Sequence, residues 1–287
     1  MSRILVGLLW LIQLLPFRAV ARIGSAAGSA LFWLIPERRR VTRTNLAKCF
    51  PQLAPRDRER LARAHFRAVG RAAVDHALLW WAPRARIEEL VRIEGLERLR
   101  ALGGAPAILL VPHFVGLDAG ATRLICEVNI TGMYSRQKDA RFDRLLYHGR
   151  TRFGEQRAYS RQEGIRPILA ALRAGRPLFY LPDQDYGPRD AIFVPFFGVP
   201  AATVTGLSRI ARIAGARVLP CVTRMLPGAG YVLQIDAPWE NFPTRDLAAD
   251  TRRMNAYIEG RIAEMPEQYN WMHKRFKTRP PGEARFY

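Results

Sequence analysis

One histidine of this 287-residue chain is followed, five residues later, by an acid. His113 comes directly after Pro112, and the acid is Asp118. The other four histidines have no aspartate or glutamate at that offset. An imidazole oriented by a carboxylate can act as a general base near neutral pH. We therefore predict that His113 and Asp118 are catalytic, although a loop histidine beside a helix-terminal acid would leave the same pattern.

A buried strand is predicted directly before His113. Residues 107–111 are five consecutive apolar residues between two prolines, a pattern typical of such a strand. In open α/β sheets, ligands bind outside the carboxyl ends of the strands, where His113 would lie. On one continuous helix, an offset of five residues turns the second side chain about 140° from the first. His113 can therefore meet Asp118 only if the histidine lies in the turn and the aspartate in the first helical turn.

A second polar loop follows another predicted strand. Residues 177–181 form an apolar run, and Asp183 and Asp185 come after it. Two aspartates could bind a metal ion, but no further group of ligands accompanies them, and acids in a loop with Gly and Pro usually form turns. The aromatic run at 192–200 is predicted to be core, with the wall of a lipid-binding groove as the alternative.

Beyond residue 90 the chain alternates between strand-like and helix-like segments. This alternation predicts an α/β fold, in which a single domain contains a largely parallel mixed sheet flanked by helices. An amphipathic helix at 55–81 precedes it. The predicted strands are 91–94, 107–111, 130–134, 177–181, 218–223 and 231–235, and the predicted helices are 117–126, 139–152, 165–174, 203–214 with Thr203 as N-cap, and 247–265.

The N-terminal residues are apolar. Residues 4–17 and 23–35 form two runs, interrupted by Arg18 and Arg22, and neither reaches the roughly 20 residues that span a bilayer. A tilted span and a pair of interfacial helices both fit, as does an amphipathic helix packed on the protein's own core. The basic residues that follow predict a cytoplasmic position for the rest of the chain. We divide the chain into a membrane-associating segment, 1–36, and a domain, 37–287.

The formal net charge is +20, from 45 basic and 25 acidic residues, and all but four of the basic residues are arginine. Such an excess predicts an anionic partner: a nucleic acid, an anionic lipid surface, a phosphorylated substrate or an acidic protein. We exclude nucleic acid because the chain has no recognised binding motif and begins with an apolar segment. Cys49, Cys126 and Cys221 are widely separated and lack the spacing of metal ligands, so they are predicted to be reduced thiols.

The chain resembles the bacterial late lipid A acyltransferases, a branch of the lysophospholipid acyltransferase superfamily. The superfamily's motif of histidine, four residues and an acid is matched by His113 and Asp118. More specific matches are Tyr-Ser-Arg-Gln at 134–137, Gly149-Arg150, Pro-Asp-Gln-Asp-Tyr-Gly at 182–187 and Phe-Val-Pro-Phe-Phe-Gly at 193–198. The tail matches at 266–271 and 275–280. The Phe-Pro-Glu-Gly-Thr-Arg motif of the glycerolipid branch is absent from the sequence.

The resemblance implies transfer of a fatty acyl chain from acyl carrier protein to a hydroxyl of a Kdo-bearing lipid A precursor, at the cytoplasmic face of the bacterial inner membrane. His113 would deprotonate the hydroxyl and Asp118 would hold the imidazole tautomer. The matched motifs imply substrate-binding roles for four residues: Arg150 on a phosphate or an oxyanion, and Asp183, Arg136 and Asp185. No metal or cofactor is expected, because the thioester already activates the acyl group.

Two other functions are compatible with the sequence. One is acyl transfer to a different glycolipid, such as a phosphatidylinositol mannoside, although the Tyr-Ser-Arg-Gln and tail segments favour lipid A. The other is a catalytically silent lipid-binding protein that keeps the fold and the N-terminal segment. A measurement of acyl transfer by the wild-type chain would distinguish a silent lipid-binding protein from an active acyltransferase.

Overall fold

The computed structural model describes residues 3–134, 139–160 and 163–287. Five of the described helices precede the first strand of the sheet, and shorter helices lie between its strands. The helices are α1 (Arg3–Ile12), α2 (Phe17–Leu34), α3 (Pro36–Cys49), α4 (Pro55–Trp81), α5 (Arg84–Leu90), α6 (Leu96–Arg100), α7 (Leu117–Leu124), α8 (Ala140–Thr151), α9 (Arg166–Arg173), α10 (Gly206–Ala214) and α11 (Leu247–Glu264), followed by a 3-10 turn at Pro266–Gln268.

The described strands form a seven-stranded sheet and a separate two-stranded hairpin. The sheet order is β1-β9-β8-β2-β5-β3-β4, with β8 and β9 antiparallel and the other neighbours parallel. The strands are β1 (Val91–Glu94), β2 (Ala107–Leu110), β3 (Thr131–Tyr134), β4 (Arg157–Ser160), β5 (Leu178–Tyr180), β6 (Ala191–Phe196), β7 (Val199–Val204), β8 (Arg217–Met225) and β9 (Tyr231–Ile235). The predicted α/β class and mostly parallel mixed sheet are confirmed.

Each face of the sheet is covered by its own apolar cluster. Successive side chains of a strand point to opposite faces, so β2 contributes Ile108 and Leu110 to one cluster and Leu109 to the other. All four residues of β2 are buried. A strand that is buried on both faces reads as a continuous apolar run, which is why residues 107–111 identified this central strand.

Three local predictions differ from the structure. Thr203 lies in β7, and α10 begins at Gly206 with Thr205 as its N-cap residue. The aromatic run forms the hairpin β6–β7, whose faces differ: Phe196 is buried, whereas 41% of Phe193 is exposed. A two-stranded ribbon that packs one face on the core leaves alternate residues outside, so the run is only half core. Strand β4 was not predicted.

The second helix packs closely on the fourth. A β-carbon added to Gly28 would lie 2.1 Å from the Phe66 carbonyl oxygen, and one added to Gly70 would lie 2.3 Å from the Gly28 nitrogen. Small residues therefore let the two backbones touch, and Val20 and Phe32 of α2 are buried in the two clusters. One face of α2 thus packs on the protein's own core.

Among the described residues, no single helix has the length and apolarity needed to cross a membrane. Taken together, α2 and α3 would meet both requirements, but they are bent by 94° at their junction. Membrane association of the N-terminal segment therefore stays a prediction.

Candidate active site

His113 is held by a carboxylate at the carboxyl end of the central strand β2. Its ring Nδ1 lies 2.6 Å from Oδ1 of Asp183, and its backbone N–H donates to Oδ2 of the same residue at 2.9 Å. The Asp183 side chain is 1% exposed and that of His113 is 16% exposed. With Nδ1 donating to Asp183, the other ring nitrogen, Nε2, has its lone pair available for a proton.

The sheet register explains why Asp183 is the partner. Strands β2 and β5 are parallel neighbours, and Leu110 pairs with Tyr180. His113 lies three residues beyond Leu110, and Asp183 lies three residues beyond Tyr180. Because parallel strands end at the same edge, equal offsets bring the two side chains together.

The predicted hydrogen bond between His113 and Asp118 is not the one in the structure. Asp118 lies in the first turn of α7, where Oδ1 accepts from Nε and Nη2 of Arg150 at 3.3 and 3.1 Å. Its Oδ2 lies 3.4 Å from Nε2 of His76. The carboxylate is therefore turned toward His76 of α4 and Arg150 of α8. A neighbouring strand supplies the carboxylate of His113 instead.

Opposing forces set the pKa values of these two carboxyl groups. Burial alone would raise the pKa of Asp183, but the His113 charge and the two hydrogen bonds from His113 hold it below its usual value. Burial would likewise raise the pKa of Asp118, but Arg150 and His76 hold it well below its usual range. Both carboxyl groups are therefore ionised and accept hydrogen bonds at neutral pH.

A glycine lets α8 bring Arg150 to Asp118. Gly149 is buried against Trp80 of α4, and a β-carbon at Gly149 would lie 2.3 Å from Cδ1 of Trp80. The Trp80 ring in turn contacts His76, with ring centroids 5.3 Å apart. Close approach of α8 to α4 thus requires glycine at position 149. This gives a structural reason for the Gly149-Arg150 pair noted in the sequence.

The C-terminal tail closes over the His113 loop. The backbone N–H of Asn270 donates to the carbonyl of His113 at 2.9 Å, and that of Val115 donates to the carbonyl of Gln268 at 2.7 Å. Between them, Phe114 and Tyr269 form an isolated β-bridge. These bonds restrain the backbone on both sides of His113. The tail therefore fixes the histidine's position, a role that sequence spacing did not predict.

Asp185, for which the sequence predicted a substrate contact, anchors the same tail. It is 1% exposed, and its carboxylate accepts from the backbone N–H and hydroxyl of Thr278 at 2.6 and 2.8 Å and from the Gly187 N–H at 2.9 Å. A buried carboxylate whose oxygens are occupied in this way stabilises the loop and tail. Arg136, the remaining predicted substrate contact, lies outside the described residues.

Two histidines near the site were not predicted. His76 contacts Asp118, and His273 accepts a hydrogen bond at Nε2 from the backbone N–H of Asp185 at 3.1 Å. Burial, together with the His113 charge, lowers the pKa of His273 to about 4, so its ring is neutral at physiological pH. Both contacts join segments far apart in the chain, and no local spacing could have revealed them.

A surface depression lies at the opposite edge of the sheet. It has a volume of about 400 Å³ and is lined at the amino ends of β2 and β5 by residues that include Gly104, Ala107 and Pro177. The site around His113 is at the carboxyl ends, so the depression does not mark it. Within residues 3–134, 139–160 and 163–287, no group of three His, Cys, Asp or Glu side chains is arranged to hold a metal ion.

Comparisons with known proteins show the family of this chain. A family model described as bacterial lipid A biosynthesis acyltransferase matches residues 2–278. The chain belongs to that family. It is 34% identical over 281 residues to the lipid A biosynthesis lauroyltransferase of Escherichia coli (strain K12), covering 96% of this chain and 91% of that protein.

Two further Escherichia coli (strain K12) relatives share this level of similarity. The lipid A biosynthesis palmitoleoyltransferase is 32% identical over 287 residues, covering 98% of this chain and 92% of that enzyme. The lipid A biosynthesis myristoyltransferase is 32% identical over 273 residues, covering 93% of this chain and 83% of that enzyme. The chain is therefore an enzyme, an acyltransferase of the lipid A biosynthesis family. The resemblance drawn from the sequence motifs is confirmed.

Proposed function

We propose that this acyltransferase transfers a fatty acyl chain from acyl carrier protein to a hydroxyl of a Kdo-bearing lipid A precursor. The observation that supports the reaction is the bond between Nδ1 of His113 and Asp183 at the carboxyl edge of the sheet. It leaves Nε2 of His113 as the basic nitrogen. The names of the family and of its relatives support lipid A chemistry.

In the proposed mechanism, Nε2 of His113 removes the proton of the acceptor hydroxyl as its oxygen attacks the thioester carbonyl. Asp183 holds the tautomer and stabilises the imidazolium that forms. When the tetrahedral intermediate collapses, the carbon–sulfur bond breaks and the imidazolium returns its proton to the departing thiolate. General-base catalysis of this kind contributes about 10²- to 10⁴-fold in rate. Positioning and stabilisation of the oxyanion supply the rest.

The pair formed by Asp118 and Arg150 is proposed to serve the anionic groups of the reaction. The Arg150 side chain is 43% exposed, and its bonds to Asp118 fix the guanidinium in place. A fixed arginine suits a substrate phosphate or the developing oxyanion. Asp118 thus acts through Arg150, whereas the sequence predicted that it would act on His113.

Membrane attachment at the cytoplasmic face of the inner membrane is proposed from the exposed side chains of the N-terminal helices. Large apolar side chains are exposed there, with arginines between them. The exposed apolar residues are Trp10, Leu11, Leu14, Leu15, Ile23, Trp33, Leu34 and Ile35. Such a surface suits the interface between headgroups and acyl chains, and the arginines suit anionic lipid. Interfacial helices therefore fit better than a span.

The net charge of +20 supports an acidic protein as the acyl donor. If carrier-protein binding relies on this charge, KM for the acyl carrier protein thioester rises with salt, because exposed charges are screened. A KM that does not change between low and physiological ionic strength would remove the electrostatic part of the proposal.

The proposed reaction is tested with purified enzyme, acyl carrier protein thioesters of several chain lengths and a Kdo-bearing lipid A precursor, with products read by mass spectrometry. We expect acylation by wild type and by His148→Ala, an exposed histidine on α8, and a loss of roughly 10²-fold or more in kcat for His113→Ala. Robust transfer by His113→Ala would refute the general-base assignment. If a phosphatidylinositol mannoside were acylated in preference to the lipid A precursor, the alternative of transfer to a different glycolipid would be supported. An absence of transfer by the wild-type enzyme would support a catalytically silent lipid-binding protein.

A further inference from the structure

Both ring nitrogens of His76 face hydrogen-bond acceptors. Nδ1 lies 2.9 Å from the carbonyl oxygen of Ala72, one turn earlier in α4. Nε2 lies 3.4 Å from Oδ2 of Asp118. A carbonyl oxygen accepts and never donates, so Nδ1 carries a hydrogen. Asp118 is ionised beside Arg150 and accepts as well, so Nε2 also carries one.

We propose that His76 is protonated at neutral pH and is a positioning residue of the active site, holding Asp118 and leaving the charge of Arg150 available to an anionic group of the substrate. The inference rests on the proposed function, because Arg150 is the group through which His76 would act. The protonation of the imidazole does not depend on the proposed function, because it is inferred from the contacts of the ring with Ala72 and Asp118.

The charges around the ring are consistent with an imidazolium. Asp118 of α7 contacts the His76 ring, and Arg150 of α8 contacts the other oxygen of Asp118. Asp75 is the residue before His76 on α4. Burial lowers the pKa of His76 and Arg150 lowers it further, but the bond and charge of Asp118 and the Ala72 carbonyl outweigh them and raise it. The side chain is 21% exposed, so the pair is only partly screened by solvent.

The charge balance of this cluster gives His76 its function. Asp118 carries one negative charge, and Arg150 and protonated His76 each carry a positive one. With His76 charged, the three groups sum to one positive charge, and the 43% of Arg150 that is exposed can present it to substrate. With His76 neutral, Asp118 and Arg150 cancel each other. Loss of this proton therefore removes the attraction for a phosphate or an oxyanion while the fold is unchanged.

The position of the ring is set by packing as well as by charge. The Trp80 ring packs against both the imidazole of His76, with ring centroids 5.3 Å apart, and Gly149 of the helix that carries Arg150. His76 and Arg150 are thus held on either side of the same carboxylate. Asp118 thus contacts His76 and Arg150, whereas His113 bonds Asp183.

The protonation state is measured directly by NMR of detergent-solubilised enzyme with ¹⁵N-labelled histidine. Loss of one signal in His76→Gln assigns the ring among the five histidines. We expect both nitrogens to be protonated at pH 7, with titration above the ordinary value of about 6.5 and a downward shift in Asp118→Asn. A ring that is neutral at pH 7 in the wild-type enzyme overturns the proposal, whether or not the enzyme proves to be a lipid A acyltransferase.

The positioning role is measured by the pH dependence of kcat. Because protonation is required, wild-type kcat falls as pH rises through the pKa of His76. His76→Gln keeps a donor toward Asp118 but cannot titrate, so we expect kcat about tenfold lower at pH 7 and no alkaline decline from this group. His148→Gln is the matched control and keeps the wild-type profile. If His76→Gln keeps the wild-type kcat and alkaline decline, the positioning role is refuted even where the ring is charged.

Discussion

His113 and Asp183 are joined by two hydrogen bonds because they occupy equivalent positions beyond two register-paired residues of parallel strands. Leu110 pairs with Tyr180, and each polar residue lies three positions later. His113 and the carboxylate that it bonds therefore follow neighbouring strands and do not belong to one sequence motif. The acid of the sequence motif, Asp118, forms a separate polar cluster with Arg150 and His76.

Asp183 and Asp185 are two residues apart, both are buried, and they should respond differently to the same substitution. Asp183→Asn can no longer accept from Nδ1 of His113 as an anion, so we expect kcat of the folded variant to fall by about 10²- to 10⁴-fold. Asp185→Asn loses charge-assisted bonds to Thr278 and should destabilise the fold by about 1.5–3 kcal/mol. Steady-state kinetics and thermal unfolding separate the two. A lower melting temperature and intact kcat in Asp183→Asn would contradict this.

Gly149 and Gly260 are both helical glycines, but they have different surroundings. A methyl group at 149 would collide with Trp80, so Gly149→Ala should move α8 away from α4 and lower kcat about tenfold or more by displacing Arg150. A methyl group at 260 meets nothing within 4 Å, so Gly260→Ala should keep full activity and stabilise the fold by up to about 1 kcal/mol. Equal activities of the two variants would show that the approach of α8 is not required.

His65 should make the fold sensitive to acid. It is fully buried, its Nδ1 bonds the Glu267 carbonyl, and burial lowers its pKa to about 4. The unfolded chain binds this proton near pH 6.5, so stability is complete above that pH and falls as pH decreases from 6.5 to 4, by roughly 3 kcal/mol. Chemical denaturation across this range checks the slope. His65→Asn keeps a donor but cannot titrate, so its acid slope should be smaller, and an unchanged slope would exclude His65.

The exposed end of α2 should carry part of the membrane affinity. Trp33 and Leu34 are 61% and 73% exposed, so replacing both with serine leaves the core intact but removes apolar area from the interface. We expect binding to anionic lipid vesicles to weaken on the order of 10²-fold, measured by co-sedimentation. Ile213→Ser is the control, because Ile213 is 58% exposed and lies on a different helix, α10. If the control weakens binding as much as the double variant does, attachment is not through this surface.

The sequence by itself determined the α/β class, most strand and helix positions, and the position of His113 just after a central strand. Periodicity and proline boundaries are local signals, and a strand buried on both faces must read as apolar throughout. The hairpin β6–β7 and strand β4 were harder to predict from the sequence, because short ribbons and edge strands obtain their stability from tertiary contacts more than from intrinsic strand propensity.

The tertiary structure alone decided which groups surround His113. Spacing along the chain suggested Asp118, but sheet register brings Asp183, the tail brings Asn270, and helix packing turns Asp118 toward His76 and Arg150. None of these contacts leaves a local pattern in the sequence. A catalytic site at the edge of a parallel sheet is assembled from the ends of several strands and helices, so its composition depends on how those elements pack.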